Sequence, residues 1–203
     1  MRKHLMKFLA ALATALALGG CASMTPESGW TTLIDGASGL DNFTNSGATA
    51  NWHAEGGAIV ADKIVSGTGA SVLITKKDYQ NLEIYAEFWS EENTNSGIYL
   101  RAPDIKMVNT ASGALEVQIW DKNPAQHYAT GSLVNVSSVN GKYVAAGRWN
   151  TFEVHAKGPE VTVKLNGVVT TSTSYAKTQT GRIGLQFNPG GAVKFRKLLV
   201  REL

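Results

Sequence analysis

The stretch Leu82-Glu83-Ile84-Tyr85-Ala86-Glu87-Phe88-Trp89 decides the fold class. Leu82, Ile84, Ala86 and Phe88 alternate with Glu83, Tyr85, Glu87 and Trp89. A period of two sends the two sets to opposite faces of a β-strand, where a helix would mix them. The same pattern recurs in both directions along the chain. Ile98 and Leu100 oppose Gly97, Tyr99 and Arg101, and Val161, Val163 and Leu165 alternate with Glu160, Thr162 and Lys164. Ile183, Leu185 and Phe187 alternate with Arg182, Gly184 and Gln186. Asn166-Gly167 follows Leu165 at once, a pair that tolerates positive φ and therefore predicts a tight hairpin. No segment after Cys21 sustains a 3.6-residue period over three turns. The chain therefore reads as all-β, two antiparallel sheets packed as a sandwich or jelly roll. It contains no internal repeat and no second domain.

The ends carry a different message. Arg2, Lys3 and Lys7 precede an apolar run from Phe8 to Leu18, too short to span a hydrocarbon core that needs ~20 apolar residues. Leu18-Gly19-Gly20-Cys21 resembles a bacterial lipobox, and Cys21 is the single cysteine of 203 residues. The expected organisation is a signal peptide over 1–20, a lipidated tether over 21–29 and one domain over 30–203. Cys21 is then the lipidation site, and the protein is held at the cell envelope by a lipid anchor alone. In a bacterium with two membranes, Ala22 after the cysteine favours the outer one. Loss of Arg2, Lys3 and Lys7 lowers Lys+Arg from 19 to 16, against 16 Asp+Glu. A domain of balanced charge without basic clusters is a poor partner for a phosphate backbone, so nucleic acid is not an expected ligand. With Cys21 the only cysteine, no internal disulfide forms.

The polar strand faces are unusual in composition. If the aliphatic sets fill the core, the opposite faces carry Glu87, Trp89, Tyr99, Arg101, Glu116, Gln118, Trp120 and Gln186. Rings mixed with carboxylates, amides and an arginine suit sugar, because rings stack on pyranose faces and polar tips bind hydroxyls. Cross-strand aromatic pairing that only stabilises a sheet is the other reading of the same residues. His53 and His155 are isolated, with no metal-ligand spacing around them.

An ordered series of blocks then resembles one known family. Trp30-Thr-Thr-Leu-Ile-Asp35-Gly36, Trp52-His-Ala-Glu55-Gly56-Gly57, Leu73 to Tyr79, Asn95-Ser96-Gly97-Ile98-Tyr99-Leu100-Arg101, Glu116-Val-Gln118-Ile-Trp120-Asp121 and Thr130-Gly131 are similar, in order, to motifs of the 3-keto-disaccharide hydrolase domain family. Trp149-Asn150, Leu165-Asn166-Gly167, Gly181 to Gln186 and Val193 to Arg196 complete the resemblance. Phe43, Asn188 and Lys197 depart from it: a Trp, a His and an Asn respectively are common at those places. The resemblance implies a concanavalin-like jelly roll and cleavage of glycosides oxidised to a ketone at C3. Such a ketone acidifies the C2 proton. A base removes it, the C1 substituent leaves, and water adds afterwards.

That chemistry assigns expected roles. Glu116 and Asp121 are the acid/base candidates and Arg101 the partner of the developing oxyanion. Asn95, Tyr99, Gln118, Trp120, Gln186 and Trp89 are expected to bind substrate, with His127 a further acid/base candidate on a loop. By parity, Glu116 and Gln118 share one face, as do Tyr99 and Arg101, so Glu116, Gln118 and Arg101 are expected in one pocket. An adjacent arginine would keep Glu116 ionised, and Glu116→Gln would then change stability little. Plain alternation puts Asp121 on the core side unless its strand bulges or ends. The spacing Glu116-x-Gln118-x-x-Asp121 also resembles the acidic strand of laminarinase-type β-glucanases, whose retaining chemistry needs two carboxyls ~5–5.5 Å apart. No cofactor is required by the sequence; a divalent cation on Asp121, Glu116 or His127 would stabilise an enolate. A non-catalytic glycan-binding module is the alternative to an enzyme.

Overall fold

A computed structural model describes residues 29–203 except 105, 107, 126, 127, 178 and 179, so Cys21 and His127 lie outside the described residues. These residues form thirteen β-strands, numbered in chain order. Five make one antiparallel sheet in the order β2 (Phe43–Ala50), β5 (Ile64–Tyr79), β12 (Gly181–Asn188), β7 (Asn95–Ala102) and β8 (Leu115–Ile119). The other eight make the second: β11 (Val168–Ser174), β10 (Glu160–Leu165), β9 (Trp149–Lys157), β6 (Leu82–Ser90), β13 (Val193–Glu202), β4 (Ala58–Ala61) and β3 (His53–Glu55), with β1 (Trp30–Asp35) also on β13.

The alternation read from the sequence is the alternation of burial. Leu82, Ile84, Ala86 and Phe88 of β6 are buried, and Phe88 stacks on Phe152 with ring centroids 4.7 Å apart. Ile98, Leu100, Val117, Ile119, Ile183, Leu185 and Phe187 supply the facing half of the same core. Burial of this apolar surface, at about 25 cal/mol per Å², is the term that holds the two sheets together. The hairpin between β10 and β11 turns on Asn166 and Gly167, with φ of 51° and 80°, as the dipeptide predicts.

A second, smaller core lies on the other side of the five-stranded sheet. Val72, Ile74, Tyr99 and Ala102 are buried there together with Val108 and Ala114, which belong to the connection from β7 to β8. That connection therefore covers part of a sheet face that the sequence reads as solvated.

Candidate functional site

Strand register arranges the covered face as a grid. Ser46, Val72, Gln186, Gly97 and Gln118 form one row across the five strands. Thr44, Ile74, Gly184, Tyr99 and Glu116 form the next. Tyr99 and Glu116 are thus direct cross-strand neighbours, and Gln186 sits one strand away on the diagonal. The Gln186 amide donates to Tyr99 Oη at 2.7 Å, and both Tyr99 and Gln186 hydrogen-bond the Glu116 carboxylate.

Gly97 makes this meeting feasible. A Cβ there would lie 2.6 Å from Glu116 Oε1 and 2.9 Å from the Val117 carbonyl oxygen, so the carboxylate occupies the space above the glycine. The Asn95-Ser96-Gly97 run is strand from its first residue, and its glycine serves close approach rather than a turn. Gly97→Ala should push the carboxylate aside and move its titration away from about 7, which an NMR titration of the Glu116 carboxyl reads directly. An unchanged titration would show that the glycine does not seat this group.

Glu116 is only 5% exposed. Burial raises its carboxyl to about 7, against the opposing effect of the hydrogen bonds from Tyr99 and Gln186. Burial also raises the Tyr99 phenol, and the neighbouring Glu116 charge adds to this. A carboxyl that titrates near neutral, wired to a phenol and an amide, is a proton-transfer group in waiting. A cleft of about 360 Å³ opens beside it, lined by Ser46, Gly47, Ala70, Val72, Tyr99, Lys106, Val108, Asn109, Gln186 and Asn188. Tyr99 and Gln186 face the cleft, and Glu116 stands on the far side of Tyr99.

Several expectations need correction. Arg101 does not join Glu116. β7 bulges against β12, where Gly184 pairs with Tyr99 and Arg182 with Ala102, so Leu100 and Arg101 both oppose Ile183. Arg101 takes φ of 52° and parity is lost from that point. Its buried guanidinium instead donates to the carbonyl oxygens of Gln80 at 2.6 Å and Gly158 at 2.7 Å. Burial, with no carboxylate opposite, lowers the Arg101 pKa. Glu87, on the other sheet, pairs with Arg196.

Asp121 is likewise structural. β8 ends at Ile119, and Asp121 sits in the turn beyond, accepting from Thr130 Oγ1 at 2.6 Å and from the Ala145 and Ala146 amides at 2.8 Å. Its oxygens are committed to holding that loop. Trp89 belongs to the other sheet, opposite Trp149, with Lys194 Nζ 4.8 Å from its ring centroid. Trp120 is half-buried just past β8, and its amide donates to Thr130 Oγ1. Gln118 is buried in the edge strand, and its side-chain oxygen accepts from the Ile119 amide. Asn95 opens β7 opposite Asn188, one of the positions that departs from the family pattern, and Asn188 lines the cleft. Of the other departures, Phe43 is core, while Lys197 lies in the other sheet beside Glu87 and Asp35. Ser46, Lys106 and Asn109 line the cleft without any signal in the sequence. Gly97 had one, since a glycine inside an alternating strand marks a close approach. Among the described residues no three His, Cys, Asp or Glu side chains gather to hold a metal ion.

Comparison with known proteins agrees with the fold. The family model described as "3-keto-alpha-glucoside-1,2-lyase-like domain" matches residues 29–201. No curated protein matches the chain in sequence. Two provisionally assigned glycosyl hydrolases from Parabacteroides distasonis superpose on it. One is 22% identical with a TM-score of 0.69, covering 86% of this chain and 99% of its own. The other is 20% identical with a TM-score of 0.72, covering 86% and 94%. The carbohydrate-binding module CBM66 from Bacillus subtilis, 11% identical, superposes with a TM-score of 0.55 over 86% of this chain and 96% of its own. At such identities the likeness is one of fold.

Proposed function

The chain belongs to the 3-keto-alpha-glucoside-1,2-lyase-like domain family, and from that membership we propose that it cleaves glycosides carrying a ketone at C3 by removing the C2 proton and expelling the C1 substituent. The observation that carries this reading is that Tyr99 and Gln186, at the wall of the cleft, both hydrogen-bond Glu116 behind them. Tyr99 Oη takes the C2 proton as its own proton passes to the Glu116 carboxylate. The C2–H electron pair moves into the ring as an enolate on the C3 oxygen. That enolate collapses, the C1–O bond breaks, and the departing alkoxide takes a proton back through Tyr99. Gln186, donating to Tyr99 Oη, stabilises the phenolate as charge develops on it. Lys106, on the wall of the cleft, takes the role at the enolate oxygen first expected of Arg101. Water adds to the eliminated sugar in a later step.

Chemistry with a single carboxyl fits this site better than two-carboxylate hydrolysis. Asp121 is fully engaged in its loop, and position 118 is an amide bonded to Ile119. Purified protein should release 3-keto-glucose from a 3-keto-disaccharide, and folded protein that turns over none of several such substrates would refute the proposal. A glycan-binding module is the second reading, favoured by the position of Glu116 behind Tyr99 rather than in the cleft wall. Calorimetric binding of intact oligosaccharide, without turnover and unaltered by Glu116→Gln, would support it instead.

The lipobox-like Leu18-Gly19-Gly20-Cys21 supports action at the envelope. Cys21→Ser should leave the protein unprocessed or soluble, since one thiol is the only acylation point. Finding the variant still in the membrane fraction after salt extraction would contradict the anchor.

A further inference from the structure

The outer face of the eight-stranded sheet carries an aromatic row that plays no part in the cleft. Trp149, Trp89 and Lys194 stand side by side across β9, β6 and β13. All three are half-buried, and with Glu55 and Gly56 they line a cavity of about 230 Å³. This cavity opens on the side of the sandwich away from Tyr99, with the main core between the two. It is smaller than the ~300–1,000 Å³ of sites for drug-sized ligands and has room for about one pyranose ring.

Cations hold both tryptophan rings. Lys194 Nζ lies 4.8 Å from the Trp89 ring centroid, and Arg196 Cζ lies 4.4 Å from that of Trp149. Rings fixed in this way lose little freedom when a ligand arrives. Gly56, in the turn between β3 and β4, has φ of 57°, and a Cβ there would meet nothing within 4 Å, so that wall of the cavity stays low.

Charge around the cavity is unbalanced. Arg196 is taken by Glu87, and Glu55 by His53. Lys194, Arg148 next to Trp149, and Lys197 opposite Glu87 form no ion pair among the described residues. Three such cations near one end of a sheet are too few for a phosphate backbone but favour a single carboxylate.

We infer that Trp89, Trp149 and Lys194 bind a carboxylate-bearing sugar ring, a uronate unit of an acidic glycan, at a site separate from the cleft. The two indoles receive the C–H surface of the pyranose, and the Lys194 ammonium donates to its carboxylate. Glu55, on the rim, accepts from a ring hydroxyl. Binding here requires no step of the proposed cleavage.

Titration of the purified protein with oligogalacturonate, followed by calorimetry and tryptophan fluorescence, tests the site without turnover. A maltooligosaccharide of equal length is the neutral control. The wild type should bind the acidic oligomer about tenfold more tightly than the neutral one, and added salt should narrow the difference. Lys194→Gln should lose that tenfold. Trp89→Ala, which leaves the charge unchanged, should weaken binding at least as much, and Trp89→Phe should recover part of it, with thermal melts confirming that each variant is folded. Glu116→Gln should bind like the wild type. Equal affinity for the two oligomers, or Lys194→Gln binding as well as the wild type, overturns the site. Loss with Lys194→Gln but with neither tryptophan variant would be charge attraction alone and overturns it too. Weakened binding in Glu116→Gln would place the ligand in the cleft, and the inference would then fail.

Discussion

Glu116→Gln should abolish turnover of a 3-keto-disaccharide, by a factor of about 10²–10⁴, and at the same time make the protein more stable above neutral pH. The loss of turnover follows because an amide cannot take the proton that Tyr99 passes on. In the wild type kcat/KM should rise with pH through about 7 as Glu116 ionises. The stability gain has a separate origin. Folding raises this carboxyl from 4.5 to about 7, so the group favours the folded state fully only below about pH 4.5, and that contribution is lost as pH climbs through 7. The interval corresponds to about 3 kcal/mol, or very roughly 5–10 °C in Tm for a domain of this size. Thermal melts of both proteins from pH 5 to 9 give the answer. The variant should gain on the wild type as pH rises to about 7 and keep that lead at higher pH, and a gap that is constant from pH 5 to 9 would mean that the carboxyl is not buried as described. Strand parity alone predicts that this substitution leaves stability nearly unchanged, whereas the burial of Glu116 predicts the pH-dependent gain.

Arg101→Ala should be among the most destabilising single substitutions in the chain and should still leave the chemistry in place. The guanidinium ties the Gln80 carbonyl, between β5 and β6, to that of Gly158, between β9 and β10, and so joins the ends of both sheets. Removal leaves two part-buried carbonyl oxygens without their donor and empties the space of one of the largest fully buried side chains. Together these cost about 3–5 kcal/mol, near 10 °C in Tm. Arg101→Met retains most of the volume and removes an unpaired buried charge, so it should recover a large part of the loss. Turnover per folded molecule should be close to wild type in the Met variant. A fall of a hundredfold there would return Arg101 to the site as an oxyanion partner.

These two residues mark where reading the sequence stops. Alternation over Leu82–Trp89 and the Asn166-Gly167 turn are properties of a few consecutive residues, set by the pleat of one strand and the φ tolerance of two side chains. The sequence therefore determines by itself that the chain is a sandwich of alternating strands, and which residues fill its core. It also puts Glu116 and Gln118 on one face, and Tyr99 on the face opposite Ile98 and Leu100, since parity holds as long as strands stay regular; that Tyr99 stands opposite Glu116 comes from strand pairing. It could not place Arg101, because the bulge that reverses parity there arises where β12 pairs with β7, some eighty residues away in the chain. Nor could it divide Trp89 from Tyr99: both lie on outward faces, and only long-range strand pairing assigns them to different sheets. The burial of Glu116, and with it a carboxyl tuned to neutral pH, comes from a connection packing Val108 and Ala114 over a polar face. Local patterns record the backbone's period, whereas which surfaces close over one another is decided by contacts between residues far apart in sequence.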